Sequence, residues 1–116
     1  MKEAIEYQEK TLSSGKTVHI RPRSYEEWEK QEEERLKHYE ALPALRQENR
    51  TAEMELVMQR GGLAVRNARL SVWVKDFGKI KSKLSLRDIA EIEQAALELE
   101  SVEIPLGNLE SGGSGA

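Results

Sequence analysis

The junction between the first strand signal and the first helix signal constrains the fold more than any other feature of the sequence. Val18 and Ile20 alternate with polar residues, which predicts a β-strand with one buried face. Pro22 ends that strand, because it has no N–H to donate and restricts the preceding residue to extended geometry. Ser24 stands three residues before Glu27, the spacing of a capping box that starts a helix. This junction predicts an α+β chain in which a strand leads directly into a helix.

The N-terminal segment, residues 1–22, is predicted to form a β-hairpin. Ile5 and Tyr7 alternate with charged residues, and Ser13-Ser14-Gly15 is a turn signal before the second strand. The rest of the fold is predicted to be mostly helical, with three or four helices at about residues 24–40, 44–60, 63–77 and 86–102. Because 116 residues suffice for one core only, we expect residues 1–102 to form a single small domain and 103–116 a flexible tail.

The boundaries of the middle helices depend on proline and glycine. Pro43 suits the first turn of the second helix, and Gly61-Gly62 predicts its end. Residues 70–75 fit an alternating strand as well as a helix, and we favour a helix through 63–77. The first helix is almost wholly polar over residues 29–35, so it is either a solvated helix or an acidic docking arm.

The last helix has the clearest signals. Ser85 is a capping residue, and Asp88 at the third helical position complements the positive end of the helix. Apolar residues then follow at helical spacing: Leu86, Ile89, Ile92, Ala96 and Leu99. This stripe predicts either ordinary core packing or a partner-binding face.

The composition indicates a thin core. Apolar residues other than Gly are 38% of the chain, against about 45–50% in ordinary domains when Gly is included, and 34% of residues are charged, against about 25%. We therefore expect a partner to cover some apolar surface. The absence of cysteine excludes disulfides and thiolate metal sites, and no apolar run approaches the length of a membrane span. We expect a soluble, cytoplasmic protein that does not enter a membrane.

The motifs of catalysis and cofactor binding are missing from the sequence. His19 and His38 stand in no metal-ligand spacing, and the chain contains no phosphate-binding loop, dinucleotide fingerprint or nucleophile elbow. We expect no catalytic residue, no metal and no cofactor, and hence a protein that is not an enzyme.

One stretch of the chain is strongly basic. Between residues 60 and 87 the only acid is Asp76, and the basic residues are Arg60, Arg66, Arg69, Lys75, Lys79, Lys81, Lys83 and Arg87. With Trp73 and Phe77 interleaved, this patch could contact phosphates and stack on a base. The seven acids from Asp88 onward offer the alternatives of internal charge pairing or self-association.

Two segments resemble phage tail assembly chaperones. Residues 12–28, LSSGKTVHIRPRSYEEW, are similar to that family's short hairpin running into a capped helix. Residues 84–92, LSLRDIAEI, resemble the start of its last helix.

The resemblance implies a non-enzymatic, largely helical protein of the infected bacterial cytoplasm. The resemblance implies that the protein binds the tape measure protein and keeps it soluble during virion assembly, with the tail tube protein as a second candidate partner. A structural or adaptor component of a phage particle, or a small nucleic-acid-binding module using residues 60–87, is the alternative.

Overall fold

The computed structural model describes residues 5–103, with side chains through Ser101. The predicted tail lies outside these residues from position 104 onward. The elements, in chain order, are β1 (Gln8–Thr11), β2 (Thr17–Ile20), α1 (Tyr25–Tyr39), α2 (Leu42–Gln47), α3 (Thr51–Trp73), α4 (Phe77–Ile80), a 3₁₀ turn (Lys81–Lys83) and α5 (Leu86–Glu103). The α+β, mostly helical prediction is confirmed.

The N-terminal hairpin forms, although its first strand begins later than predicted. β1 and β2 are antiparallel, with Gln8 opposite Ile20 and Thr11 opposite Thr17. Gly15 makes the turn at φ 90°, a conformation that glycine adopts without steric cost. Ile5 and Tyr7, which were expected in the first strand, precede β1 and are exposed.

The ambiguous segment after residue 63 is helical through Trp73 and then pairs with β2. Val74 forms an antiparallel bridge with Ile20. The N–H of Arg21 donates to the Trp73 carbonyl at 2.8 Å, and the N–H of Lys75 donates to the His19 carbonyl at 2.9 Å. The helix favoured through 63–77 is therefore wrong beyond Trp73, because Val74 pairs with β2 as the strand-like pattern of residues 70–75 also allowed.

The predicted helix end at Gly61-Gly62 is wrong, because α3 runs through both glycines. A Cβ atom on Gly61 would lie 2.6 Å from Cε1 of Tyr39, so the glycine lets α1 and α3 approach closely. Glycine inside a helix costs about 1 kcal/mol relative to alanine, but alanine at this position would require the Tyr39 ring to move.

The break falls instead near Asn49, which divides the helix predicted for 44–60 into α2 and the start of α3. Asn49 has φ 56°, a left-handed conformation that asparagine tolerates better than most residues. The N–H of Arg50 donates to the Leu45 carbonyl at 3.0 Å and so provides a hydrogen-bond donor for a carbonyl in the last turn of α2. Pro43 lies in the first turn of α2, as predicted.

The described residues fall into two compact units: unit 1 comprises residues 5–22 and 73–103, and unit 2 comprises residues 23–72. Unit 1 holds most of the buried side chains, namely Leu12, Val18, Ile20, Pro22, Trp73, Val74, Phe77, Asp88, Ile92 and Ala96. In the described part of unit 2 only Gly61 and Leu70 are buried. The single domain expected for 1–102 stays a prediction.

Candidate functional site

The apolar stripe of α5 is divided between core and surface. Ile92 and Ala96 are 0% exposed, whereas Leu86 is 82% exposed. Ile89 and Leu99 are half-buried. The hypothesis that the whole stripe binds a partner is therefore wrong for Ile92 and Ala96, because the core of unit 1 already uses them.

The basic residues are distributed over both units. Arg60, Arg66 and Arg69 lie in unit 2, where Arg60 is exposed and the other two are half-buried. The five others lie in unit 1 and are all exposed: Lys75, Lys79, Lys81, Lys83 and Arg87.

The aromatic residues expected between these cations are not available to a ligand. Trp73 and Phe77 are 1% and 6% exposed, and Nε1 of Trp73 donates to Glu100 at 2.8 Å. Stacking of a nucleic-acid base on either ring is therefore contradicted, because both rings belong to the core of unit 1.

A polar cluster joins the hairpin turn to the first turn of α5. Asp88 is 1% exposed; its Oδ1 accepts from Oγ of Ser14 at 2.8 Å, and its Oδ2 accepts from Nζ of Lys16 at 3.0 Å. Oδ2 also accepts from the backbone N–H of Ser85 at 2.9 Å, while Oγ of Ser85 accepts from the N–H of Asp88. The carboxylate thus closes a capping box and holds the turn at the same time.

Two neighbouring contacts extend this cluster. Glu91 accepts hydrogen bonds from the backbone N–H and from Oγ of Ser13, at 2.9 and 2.5 Å. Lys16 donates a second bond to the carbonyl of Lys83 at 2.6 Å. We name the set Ser13, Ser14, Lys16, Asp88 and Glu91 the turn clasp.

The electrostatics of the turn clasp favour a structural role. The Ser85 N–H, followed by Lys16 and Ser14, holds the pKa of Asp88 well below its usual range. The hydrogen bonds from Ser13 lower the pKa of Glu91. A buried carboxylate held in its charged form by several donors is poorly suited to exchange protons, so the turn clasp ties hairpin to helix and has none of the features of an acid–base pair.

The sequence predicted the capping role of Asp88 but missed its contact with the hairpin. Ser14 and Asp88 are 74 residues apart, and local patterns carry no information on such a pairing. The one available signal is a lysine beside the turn glycine, which suits an acidic partner elsewhere in the chain.

Unit 2 presents the largest exposed apolar side chains of its two long helices. On α1 no residue is buried, and Tyr25, Trp28 and Leu36 are 73%, 41% and 60% exposed. On α3 Leu56, Met58 and Leu63 are 43%, 55% and 62% exposed. We name these six residues the unit 2 apolar surface. It is the candidate functional site, because so much exposed apolar side chain on a helix pair is typical of partner binding.

Two contacts between α1 and α3 show how these helices run relative to each other. The Tyr39 ring packs on Gly61, and Nε2 of Gln31 donates to the Ala68 carbonyl at 2.9 Å. Later residues of α1 therefore meet earlier residues of α3, so the two helices run antiparallel. The Ser24–Glu27 capping box forms as predicted, with both of its hydrogen bonds.

Neither a metal cluster nor a membrane-spanning helix occurs in the described part of the chain. Residues 5–103 contain no group of three or more His, Cys, Asp or Glu side chains that could hold a metal. Within the same residues no helix is long and apolar enough to span a bilayer. Comparison with protein families, with curated proteins and with solved structures finds no match to this chain.

Proposed function

We propose that this protein is a non-enzymatic phage tail assembly chaperone that binds the tape measure protein and keeps it soluble. The observation that carries the proposal is the contrast within unit 2, where two residues are buried and six large apolar side chains are exposed. A tape measure chain offers long amphipathic helices, whose apolar stripes need cover before assembly. The site of action is the cytoplasm of the infected bacterium, and the tail tube protein is a possible second partner.

The hairpin and its junction with α1 add support from the sequence. Residues 12–28 resemble the family's opening hairpin, and residues 84–92 resemble the start of its last helix. The turn clasp links these two segments through Ser14, Lys16 and Asp88. Residues from the two segments that carry the resemblance thus contact each other in the fold. We assign the binding of the tape measure protein to the unit 2 apolar surface.

Co-expression with a tape measure protein tests the proposal. We expect the wild-type chain to raise the soluble fraction of a helical tape measure fragment, and Leu36→Ser to remove most of that gain. Leu97→Ser is the matched control, because Leu97 is a leucine of α5 that is 47% exposed and lies outside the unit 2 apolar surface. Failure of the wild-type chain to keep any tape measure fragment soluble would refute the proposal.

A nucleic-acid-binding module is the second candidate, favoured by the exposed cations of unit 1 at Lys75, Lys79, Lys81, Lys83 and Arg87. Such binding would act on phosphates and fall steeply with salt. An electrophoretic shift assay with single-stranded nucleic acid at low salt tests this candidate. A shift that is lost when Lys79, Lys81 and Lys83 are changed to Gln would support nucleic-acid binding over the chaperone function.

A further inference from the structure

Three exposed apolar side chains, which we call the apolar line, lie along one side of helix α1, and the Glu32–Arg35 ion pair interrupts this line between Trp28 and Leu36. At 100° per residue, Trp28 and Leu36 lie within about 60° of Tyr25 around the helix, and the line is about 16 Å long. The rings of Tyr25 and Trp28 contact each other, with centroids 5.5 Å apart and planes tilted by 45°. Because this contact already restricts both side chains, a partner that packs on them loses less conformational freedom.

One side of that line is acidic. Glu29, Glu33 and Glu40 lie about 40° to 80° round the helix from Tyr25. All three are exposed, and none of them makes a side-chain ion pair among residues 5–103. Lys30 and Lys37 lie further round, at about 120° to 150°. The border of the apolar line is therefore negative and uncompensated.

The charge on this border restricts the partner. A row of free carboxylates repels nucleic-acid phosphates and anionic lipid surfaces, so neither suits the apolar line. A helix with an apolar stripe fits a helix face by ridge-into-groove packing, and basic residues beside that stripe would meet Glu29, Glu33 and Glu40.

We propose that the Tyr25–Trp28–Leu36 face of α1 binds an amphipathic helix of another protein whose apolar stripe is bordered by Lys or Arg. This inference rests on the proposed function, since it names the chemistry of the partner helix. The apolar line provides the buried contact, and the three glutamates select the charge of the bound helix. The Glu33–Lys37 pair that the i,i+4 spacing permits is not formed, which leaves Glu33 free for the partner.

Two designed peptides of 18 residues test this proposal on the full-length protein. Both carry the same leucine stripe, bordered by Lys and Arg in one and by Glu in the other. We expect the basic peptide to bind at least ~10-fold more tightly at low salt, and the difference to shrink as the Debye length falls toward ~3 Å at 1 M salt. Trp28 reports binding by fluorescence, because it is 41% exposed whereas Trp73 is 1% exposed.

Three variants separate the contribution of the apolar contact from that of the glutamates. Leu36→Ser is expected to weaken binding of the basic peptide by at least ~10-fold, as loss of a central apolar contact does. The triple variant E29Q/E33Q/E40Q is expected to remove the preference between the peptides while retaining binding. Leu97→Ser is expected to bind like the wild type, and circular dichroism confirms that each variant is folded.

Other outcomes would overturn the inference. Equal affinity for the two peptides, no binding of either, or equal damage from Leu97→Ser and Leu36→Ser would each do so. Self-association of the free protein that Leu36→Ser abolishes would show that a second copy occupies the face. If tape measure fragments stay soluble but the peptides are not distinguished, this inference fails and the proposed function stands. If the basic peptide binds but no fragment is kept soluble, the proposed function fails alone.

Discussion

Unit 1 buries far more apolar side chains than unit 2, although Ile5, Tyr7, Leu86 and Leu97 of unit 1 are exposed as well. Unit 1 buries Leu12, Val18, Trp73, Ile92 and their neighbours and ties hairpin to helix through Asp88. Unit 2 has two long antiparallel helices, α1 and α3, with the short α2 between them, and it combines two buried residues with an exposed apolar surface. The difference indicates that unit 1 supplies the stability of the fold, whereas unit 2 keeps its apolar side chains for a partner.

The strongest test of this comparison exchanges one apolar residue in each unit for alanine. We expect Ile92→Ala to lower the free energy of unfolding by about 2–5 kcal/mol, because Ile92 is fully buried. Leu36→Ala, at a site that is 60% exposed, should change it by no more than about 0.5 kcal/mol. Urea unfolding followed by circular dichroism measures both. Similar losses from the two variants would show that the units do not differ in this way.

The turn clasp gives the next largest expected effect, and it depends on pH. The pKa values of Asp88 and Glu91 are lowered in the folded chain, so their contribution to stability is present above the ordinary carboxyl pKa of about 4. That contribution is lost as the pH falls below this value toward the folded-state pKa. Asp88→Asn should therefore destabilise the chain at pH 7 and reduce the loss of stability between pH 5 and pH 2.

Measurement of the unfolding midpoint at a series of acidic pH values tests this prediction. The matched control is Glu29→Gln, which removes an exposed carboxylate of unit 2 that has no hydrogen-bond partner among residues 5–103. If Asp88→Asn and Glu29→Gln gave the same profile, the assignment of acid sensitivity to unit 1 would be wrong.

The helix contact in unit 2 predicts opposite effects at adjacent glycines. Alanine at position 61 would place its Cβ 2.6 Å from the Tyr39 ring, whereas at position 62 the nearest Tyr39 atom is 3.9 Å away. Gly62→Ala should stabilise the chain by up to about 1 kcal/mol through helix propensity. Gly61→Ala should be less stable than Gly62→Ala by about 1–3 kcal/mol, because the ring must move. Thermal unfolding of the two variants compares them, and equal stability would contradict close packing of α1 on α3.

The smallest expected effect is at the start of α1. Ser24→Ala removes the hydrogen bond that Oγ of Ser24 accepts from the N–H of Glu27 at 3.1 Å. A loss of about 0.5–2 kcal/mol is usual for such a cap. We expect the loss to appear as faster amide exchange in the first turn of α1, with unit 1 unaffected. Faster exchange in α5 as well would show that the two units unfold together.

Local signals in the sequence predicted the elements that they control directly. The Ser24–Glu27 and Ser85–Asp88 capping residues, Pro43 and the stripe from Leu86 to Leu99 all mark helices that form. The errors concern two helix boundaries that these signals do not determine. Gly61 continues a helix because Tyr39 packs on it, and Asn49 ends one by adopting a left-handed conformation.

The candidate site was harder to predict from the sequence than the helices were. A stripe at regular spacing looks the same whether it faces a core or a solvent, so Ile92 on α5 was as good a candidate for partner binding as Leu36 on α1. The composition did predict that apolar surface would remain uncovered. Which helix carries that surface depends on the packing of the hairpin, and no periodicity within α5 records it.

The division of unit 1 into two chain segments has a consequence for synthesis. The hairpin leaves the ribosome first, but Val74, Ile92 and Asp88, which complete its unit, follow only after the fifty residues of unit 2 have been made. Closing a loop of that size costs about 3–4 kcal/mol of chain entropy. A nascent chain that stalled before residue 73 would therefore lack the residues that cover the hairpin, and the apolar side of the hairpin would still be exposed.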